Sequence, residues 1–130
     1  VYFVPEDTEM AVSANHTFRM TRPKSTGRVF RPISHMFTTL SRSFHQNALG
    51  ILLTGMGNDG VAGLKEMKAA GAPTIVQNRQ SSVIFSMPAE AIKLNAVDYV
   101  LSPQNIADYI VSLDSPNAAD EKSGAAEPIA

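Results

Sequence analysis

The residues best suited to chemistry are Leu53-Thr54-Gly55-Met56-Gly57-Asn58-Asp59-Gly60, a stretch holding three glycines and one carboxylate. The glycines admit positive φ and the close approach of a ligand or another segment, and an Asp ahead of a helix can cap it and is stabilised by its dipole. Taken locally, four roles compete. The first is a tight turn with Asp59 as N-cap. The second is dinucleotide binding, because Gly55 to Gly60 satisfies G-x-G-x-x-G. Against it, Asp59 would face the pyrophosphate, and Gln77-Asn78 stands where a ribose-binding acid is wanted about 20 residues on. A phosphate-gripping P-loop is weaker still, since no Gly-Lys-Ser/Thr follows. The fourth is hydrolytic: a buried carboxylate holds a His that deprotonates a Ser, while neighbouring N–H groups stabilise the oxyanion. The local residues do not choose among them.

Other candidates are thinner. Ser81, Ser82 and Ser86 fall in a segment that can approach the same sheet edge as Asp59, but none sits in a strained strand-to-helix elbow of the kind that exposes a nucleophile. His16, His35 and His45 are too far apart in sequence for a local metal motif, so neither metal nor cofactor is expected. Arg19, Arg22, Lys24, Arg28 and Arg31, with Pro23 and Gly27 and no acid among them, read as a basic loop. Without interleaved aromatics, this is a poor nucleic-acid platform.

These residues need a scaffold. Val1 to Val4, stopped by Pro5, reads as a strand end, and Ala11 to Met20 as a small hairpin turning at Ser13-Ala14-Asn15. Ile33, Met36, Phe37, Leu40 and Phe44 recur at steps of three and four, which predicts a helix from Pro32 to about His45. The apolar run Ala48 to Leu53 reads as a strand buried on both faces. A helix over Gly60 to Ala70, closed by Gly71, follows. Then come a strand (Pro73 to Val76), a helix (Pro88 to Leu94), a strand (Val97 to Leu101) and a final helix (Pro103 to Leu113). The alternation predicts an α/β fold in three layers: a mostly parallel, doubly wound sheet with helices on both faces and its site beyond the strands' carboxyl ends.

At 130 residues the chain has room for one core. Hydrophobic residues at 44%, charged residues at 18% and a net charge of -1 exclude a disordered or nucleic-acid-coating chain. Without cysteine there is no disulfide scaffold, thiol nucleophile or Cys-ligated metal, which fits a reducing compartment; the cytoplasm is the expectation. No apolar run reaches the ~20 residues of a membrane span, so no membrane insertion is expected. From Asp114 onward four acids meet one lysine, a charge of -3 that leaves about +2 on the rest. That small, polar stretch, 114–130, reads as a flexible acidic tail or linker beyond a folded region 1–113.

Resemblance chooses among the roles. ALGILLTGMGNDGVAGLKEMKAAGAPTIVQN, followed by SSVIFSMPAEAIKLNAVDYVL, resembles the carboxyl-terminal half of the catalytic domain of the CheB family, the protein-glutamate methylesterases of bacterial chemotaxis. T-G-M-G-x-D-G and V-x-F-x-M-P-x-E-A-I both match at the family's separation, and VYFVPEDTEM resembles its A-P-x-D-x-H-M strand. The resemblance implies hydrolysis of glutamyl methyl esters on chemoreceptor cytoplasmic domains by a Ser-His-Asp triad. Asp59 matches the triad acid and Met56 the residue whose backbone N–H serves the oxyanion hole, with Gly55, Gly57, Asn58 and Gly60 shaping the loop between and beside them. The family's G-x-S-x-G-G nucleophile segment and its Gln-His have no counterpart here, so the resemblance implies a partial domain lacking its first strands, and the expectation is that these residues are inactive by themselves. Ile33 and His35 stand where the family's R-P-S-V-D has Ser and Asp, Val4 replaces its Ala, and Glu9 its His. The different-class alternative is a noncatalytic module that binds receptors or serves in assembly. In either case a methylated chemoreceptor is the implied partner, the basic loop could steer its acidic helices, and the family often joins the domain to an upstream receiver. A sheet short of strands exposes edge and apolar surface, so self-association is also expected; a clean monomer in sedimentation at high concentration would count against it.

Overall fold

The computed structural model describes residues 1–24, 27 and 29–115, so most of the expected acidic tail, and Arg28, lie outside the described residues. Strands β1 (Glu9–Val12) and β2 (Phe18–Thr21) form the expected hairpin, antiparallel with Met10 opposite Met20. Its turn is held by Ser13 N–H on Thr17 O at 3.0 Å and His16 N–H on Ser13 O at 2.9 Å. Two expectations change here. Val1–Val4 forms no strand: no described residue offers it a ladder, and Tyr2 instead sets its ring edge-on against Phe18 at 4.7 Å. The basic segment is not wholly loop either, because pairing with Ala11 draws Arg19 into β2.

Helix α1 (Pro32–Phe44) starts with Pro in its first turn, where a missing N–H costs nothing. Phe37 lies in the main core and Ile33, Met36 and Leu40 pack against it, as their spacing predicts. Phe44 departs from this face and meets the His16 ring at 5.1 Å, at the hairpin turn. The helix also runs along the hairpin's outer edge. Thr39 Oγ1 accepts the Val12 N–H at 3.0 Å, and Ser43 Oγ donates to Val12 O at 3.0 Å.

The remaining elements alternate as expected: β3 (Gly50–Leu52), α2 (Val61–Ala69), β4 (Thr74–Gln77), α3 (Ser86–Lys93), β5 (Tyr99–Leu101) and α4 (Pro103–Ser112). The three strands form one parallel sheet in the order β3-β4-β5, with Ile51 beside Ile75 and Val76 beside Val100. Successive strand residues point to opposite faces, and the core divides accordingly. Leu52, Val76 and Val100 join Val61, Leu64 and Met67 of α2 and Met87 and Ala91 of α3. On the other face Ile75 and Leu101 meet Ile106 and Tyr109 of α4, with Ile51 and Tyr99 packed beside them. Burial raises the Tyr109 phenol above its ordinary value near 10, with Tyr99 and Asp98 adding to the effect. No helix among the described residues is long and apolar enough to cross a membrane.

Candidate functional site

The glycine loop leaves β3 at its carboxyl end, where parallel sheets place their sites. It is held along the segment that follows β4. Thr54 N–H donates to Gln77 Oε1 at 2.7 Å, Thr54 Oγ1 donates to Ile84 O at 2.9 Å and accepts the Ile84 N–H at 2.9 Å, and Gly55 N–H donates to Ile84 O at 3.0 Å. Gly55 O in turn accepts from Ser86 Oγ at 3.1 Å and from Met87 N–H at 3.3 Å. The two motifs that carry the family resemblance are thus hydrogen-bonded to each other. Gln77 is the hinge of this arrangement, its amide nitrogen donating to Ser81 O at 2.9 Å while its oxygen takes Thr54.

Asp59 does not cap the helix that follows it. Gly60 occupies that position with φ of 99°, a left-handed conformation that suits glycine, and α2 has no side-chain cap. The carboxylate instead caps α1: Oδ2 accepts the Ile33 N–H and Oδ1 the Ser34 N–H, both at 3.0 Å. The reason lies at Arg31, the residue before Pro32, which has no side-chain oxygen and leaves the first N–H groups of α1 without a local acceptor. Ser34 returns the favour, its Oγ accepting the Gly60 N–H at 2.8 Å. The starts of α1 and α2 therefore hold each other across 25 or so residues of sequence. The support from Ile33 and Ser34 is signalled in the sequence only by a helix that opens on Arg-Pro without a capping side chain.

This geometry leaves chemistry available. Each carboxylate oxygen accepts two or more hydrogen bonds, so the half-buried Asp59 is oriented by two backbone donors with capacity left for a third, such as an imidazole N–H. Met56, 80% exposed, stands at the loop's outer turn, and no hydrogen bond among the described residues engages its N–H or those of Gly57 and Asn58. Beside the start of α1 a cleft of about 420 Å³ is lined by Val4, Phe30, Ile33 and Met36, with Glu6 and Asp7.

The other candidates do not gather here. Ser81 Oγ donates to Asn78 Oδ1, Ser82 Oγ to Asn78 O at 2.6 Å, and Ser86 Oγ to Gly55 O at 3.1 Å, so their protons are spent on neighbouring backbone and amide oxygens. His16 lies at the hairpin turn, His35 in the first turn of α1, and His45 just past its end with φ of 48°. None of them is bonded to Asp59. Among the described residues no group of His, Asp and Glu could hold a metal ion.

The description of the CheB methylesterase family matches residues 1–110. Over 112 residues the chain is 41% identical to a protein-glutamate methylesterase/protein-glutamine glutaminase of Syntrophus aciditrophicus (strain SB), covering 86% of this chain and 32% of that protein. It is 36% identical over 121 residues to the corresponding protein of Yersinia pestis bv. Antiqua (strain Antiqua), covering 91% and 35%. Its fold matches the crystal structure of the Thermotoga maritima CheB methylesterase catalytic domain with a TM-score of 0.75 and 26% identity, over 84% of this chain and 59% of that one. The chain spans about a third of the length of the curated relatives it matches.

Proposed function

The chain belongs to the CheB methylesterase family, and we propose that it supplies the acid and the oxyanion loop of a protein-glutamate methylesterase whose Ser and His lie outside these 130 residues. The observation that carries this is the Asp59 carboxylate, fixed in orientation by two backbone donors inside the glycine loop at the end of β3.

In the complete site, Asp59 accepts the N–H of the His, which fixes the tautomer that takes the proton from the Ser hydroxyl. The serine oxygen bonds to the glutamyl carbonyl carbon, and the Met56 N–H stabilises the oxyanion. The His returns the proton to the departing methoxide, which leaves as methanol. Water, deprotonated by the same His, then attacks the acyl carbon; the bond to the serine oxygen breaks, the His returns the proton to that oxygen, and the glutamate side chain is released. The relatives' double name adds a glutaminase, and the same machinery would expel ammonia from a glutamine amide, because the bond broken is again to the carbonyl carbon. The substrate proposed is the methylated cytoplasmic domain of a chemoreceptor, and an upstream receiver domain is a compatible regulator.

Residues 1–130 alone are expected to release no methanol above background from a methyl-esterified chemoreceptor cytoplasmic domain, since Ser81, Ser82 and Ser86 are each committed elsewhere. Turnover by the isolated chain would mean that it holds its own nucleophile and would overturn the assignment. The second reading, a noncatalytic receptor-binding module, is favoured by the departures from the family motifs at Val4 and Ile33, which line the cleft, and at Glu9 and His35 nearby in sequence. Receptor binding without ester hydrolysis by the whole natural protein would select it.

A further inference from the structure

Away from Asp59, a groove of about 410 Å³ lies between the hairpin and α1, lined by Val12, Thr17, Arg19, Thr39, Arg42 and Ser43. The polar atoms of its walls are committed internally. Val12 bonds Thr39 and Ser43, Thr39 Oγ1 donates to Met36 O at 2.9 Å, and Thr17 Oγ1 donates to Asn15 Oδ1 at 2.7 Å. What the groove offers an occupant is two exposed guanidinium groups, and among the described residues neither is in an ion pair. The wider sequence keeps the sign uniform. Between Glu9 and Asp59 there is no acidic residue, while Arg19, Arg22, Lys24, Arg28, Arg31 and Arg42 all fall there, and Glu9 itself is buried. Guanidinium groups pair with carboxylates in a planar, two-bonded geometry that an amide or a cation cannot match.

Charge and spacing together suit one kind of occupant, an acidic helix. Asp59 is held at Ile33 and Ser34, and Arg42 stands eight or nine residues further along the same helix, roughly 12–14 Å at 1.5 Å per residue. A second helix laid along α1 advances at the same rate, so glutamates eight or nine positions from the reacting side chain would reach the arginines. We propose that this groove docks the acidic helical segment of the esterified substrate, with Arg19 and Arg42 clamping its free glutamates while the ester lies at Asp59; the docking role rests on the methylesterase assignment. Arg42 and Arg19 are then specificity residues, selecting substrates that carry ionised glutamates at that distance from the ester.

The test is fluorescence anisotropy with the 130-residue chain and a labelled synthetic helical peptide carrying glutamates at every third or fourth position. Arg19→Gln and Arg42→Gln are each expected to weaken binding about fivefold, and the pair about 20-fold, with the difference shrinking as salt is raised. Arg42→Lys, which keeps the charge and loses the fork, should fall between, and Lys65→Gln on exposed α2 surface should change nothing. A peptide with glutamine in place of glutamate should bind the unsubstituted chain no better than the acidic peptide binds the double variant. No binding of the acidic peptide, equal affinity for the glutamine peptide, or full affinity in the double variant would each overturn the docking role. Since the assay hydrolyses no ester, loss of docking and loss of the catalytic assignment are read separately.

Discussion

Asp59→Asn, placed in the complete methylesterase that carries this chain, is expected to lower ester hydrolysis roughly 1,000- to 10,000-fold with receptor binding retained. The amide has nearly the carboxylate's shape but not its charge, and it cannot hold the catalytic His in the required tautomer while stabilising the imidazolium. It also has one acceptor end where the native group has two, so either Ile33 or Ser34 loses its N–H acceptor, at a cost of about 1–3 kcal/mol. Ser34→Ala separates the two effects, because it strips the Gly60 N–H of its partner without touching the acid. Its stability cost should be similar, about 1–3 kcal/mol, while turnover in the folded protein changes less than tenfold. Methanol release measured on both variants decides the matter. Comparable losses in the two would reduce Asp59 to a structural cap.

The second large effect is expected at Gly63. A Cβ there would stand 2.7 Å from Phe37 Cβ, 2.7 Å from Ser34 O and 2.8 Å from Ser34 Cα, two of these atoms being backbone of α1. Helix propensity by itself favours alanine over glycine by about 0.8–1.0 kcal/mol. Overpacking costs typically 1–3 kcal/mol, and it falls at the upper end where the obstructing atoms are backbone rather than a flexible side-chain tip. The clash wins. Gly63→Ala should destabilise the chain by about 2 kcal/mol in urea unfolding, with α1 pushed off α2 and the Asp59 contacts loosened at the same time. Stability equal to or above that of the unsubstituted chain would show that the two helices do not touch as closely as their backbones here do.

Much of this architecture is legible in the chain because it is locally encoded. The apolar run before the glycines, the spacing from Ile33 to Leu40 and the glycine at 71, whose φ of 89° ends α2, each announce an element from neighbouring residues. What local patterns do not carry is partnership. Val1–Val4 has strand composition, but a strand exists only with a neighbour, and Arg19 belongs to a strand because Ala11 lies opposite it. Strand ends are trimmed for the same reason: the run from Ala48 to Leu53 is ladder-paired only over Gly50–Leu52. At the site, the glycines and the acid were visible as types and spacing, whereas the helix that Asp59 caps was not, because its donors begin 26 residues upstream.

The side of the hairpin that faces α1 bears on how the molecule breathes. Thr39 and Ser43, one helical turn apart, hold both the N–H and the carbonyl of Val12, so the helix does for β1 what a third strand would. Such a hairpin cannot fray from its tip while the helix stands, and the Val12 amide exchanges with solvent only when strand and helix part. Hairpin and α1 are accordingly expected to open together, and because Phe37 of that helix lies in the core shared with the sheet, such opening draws on the main core as well.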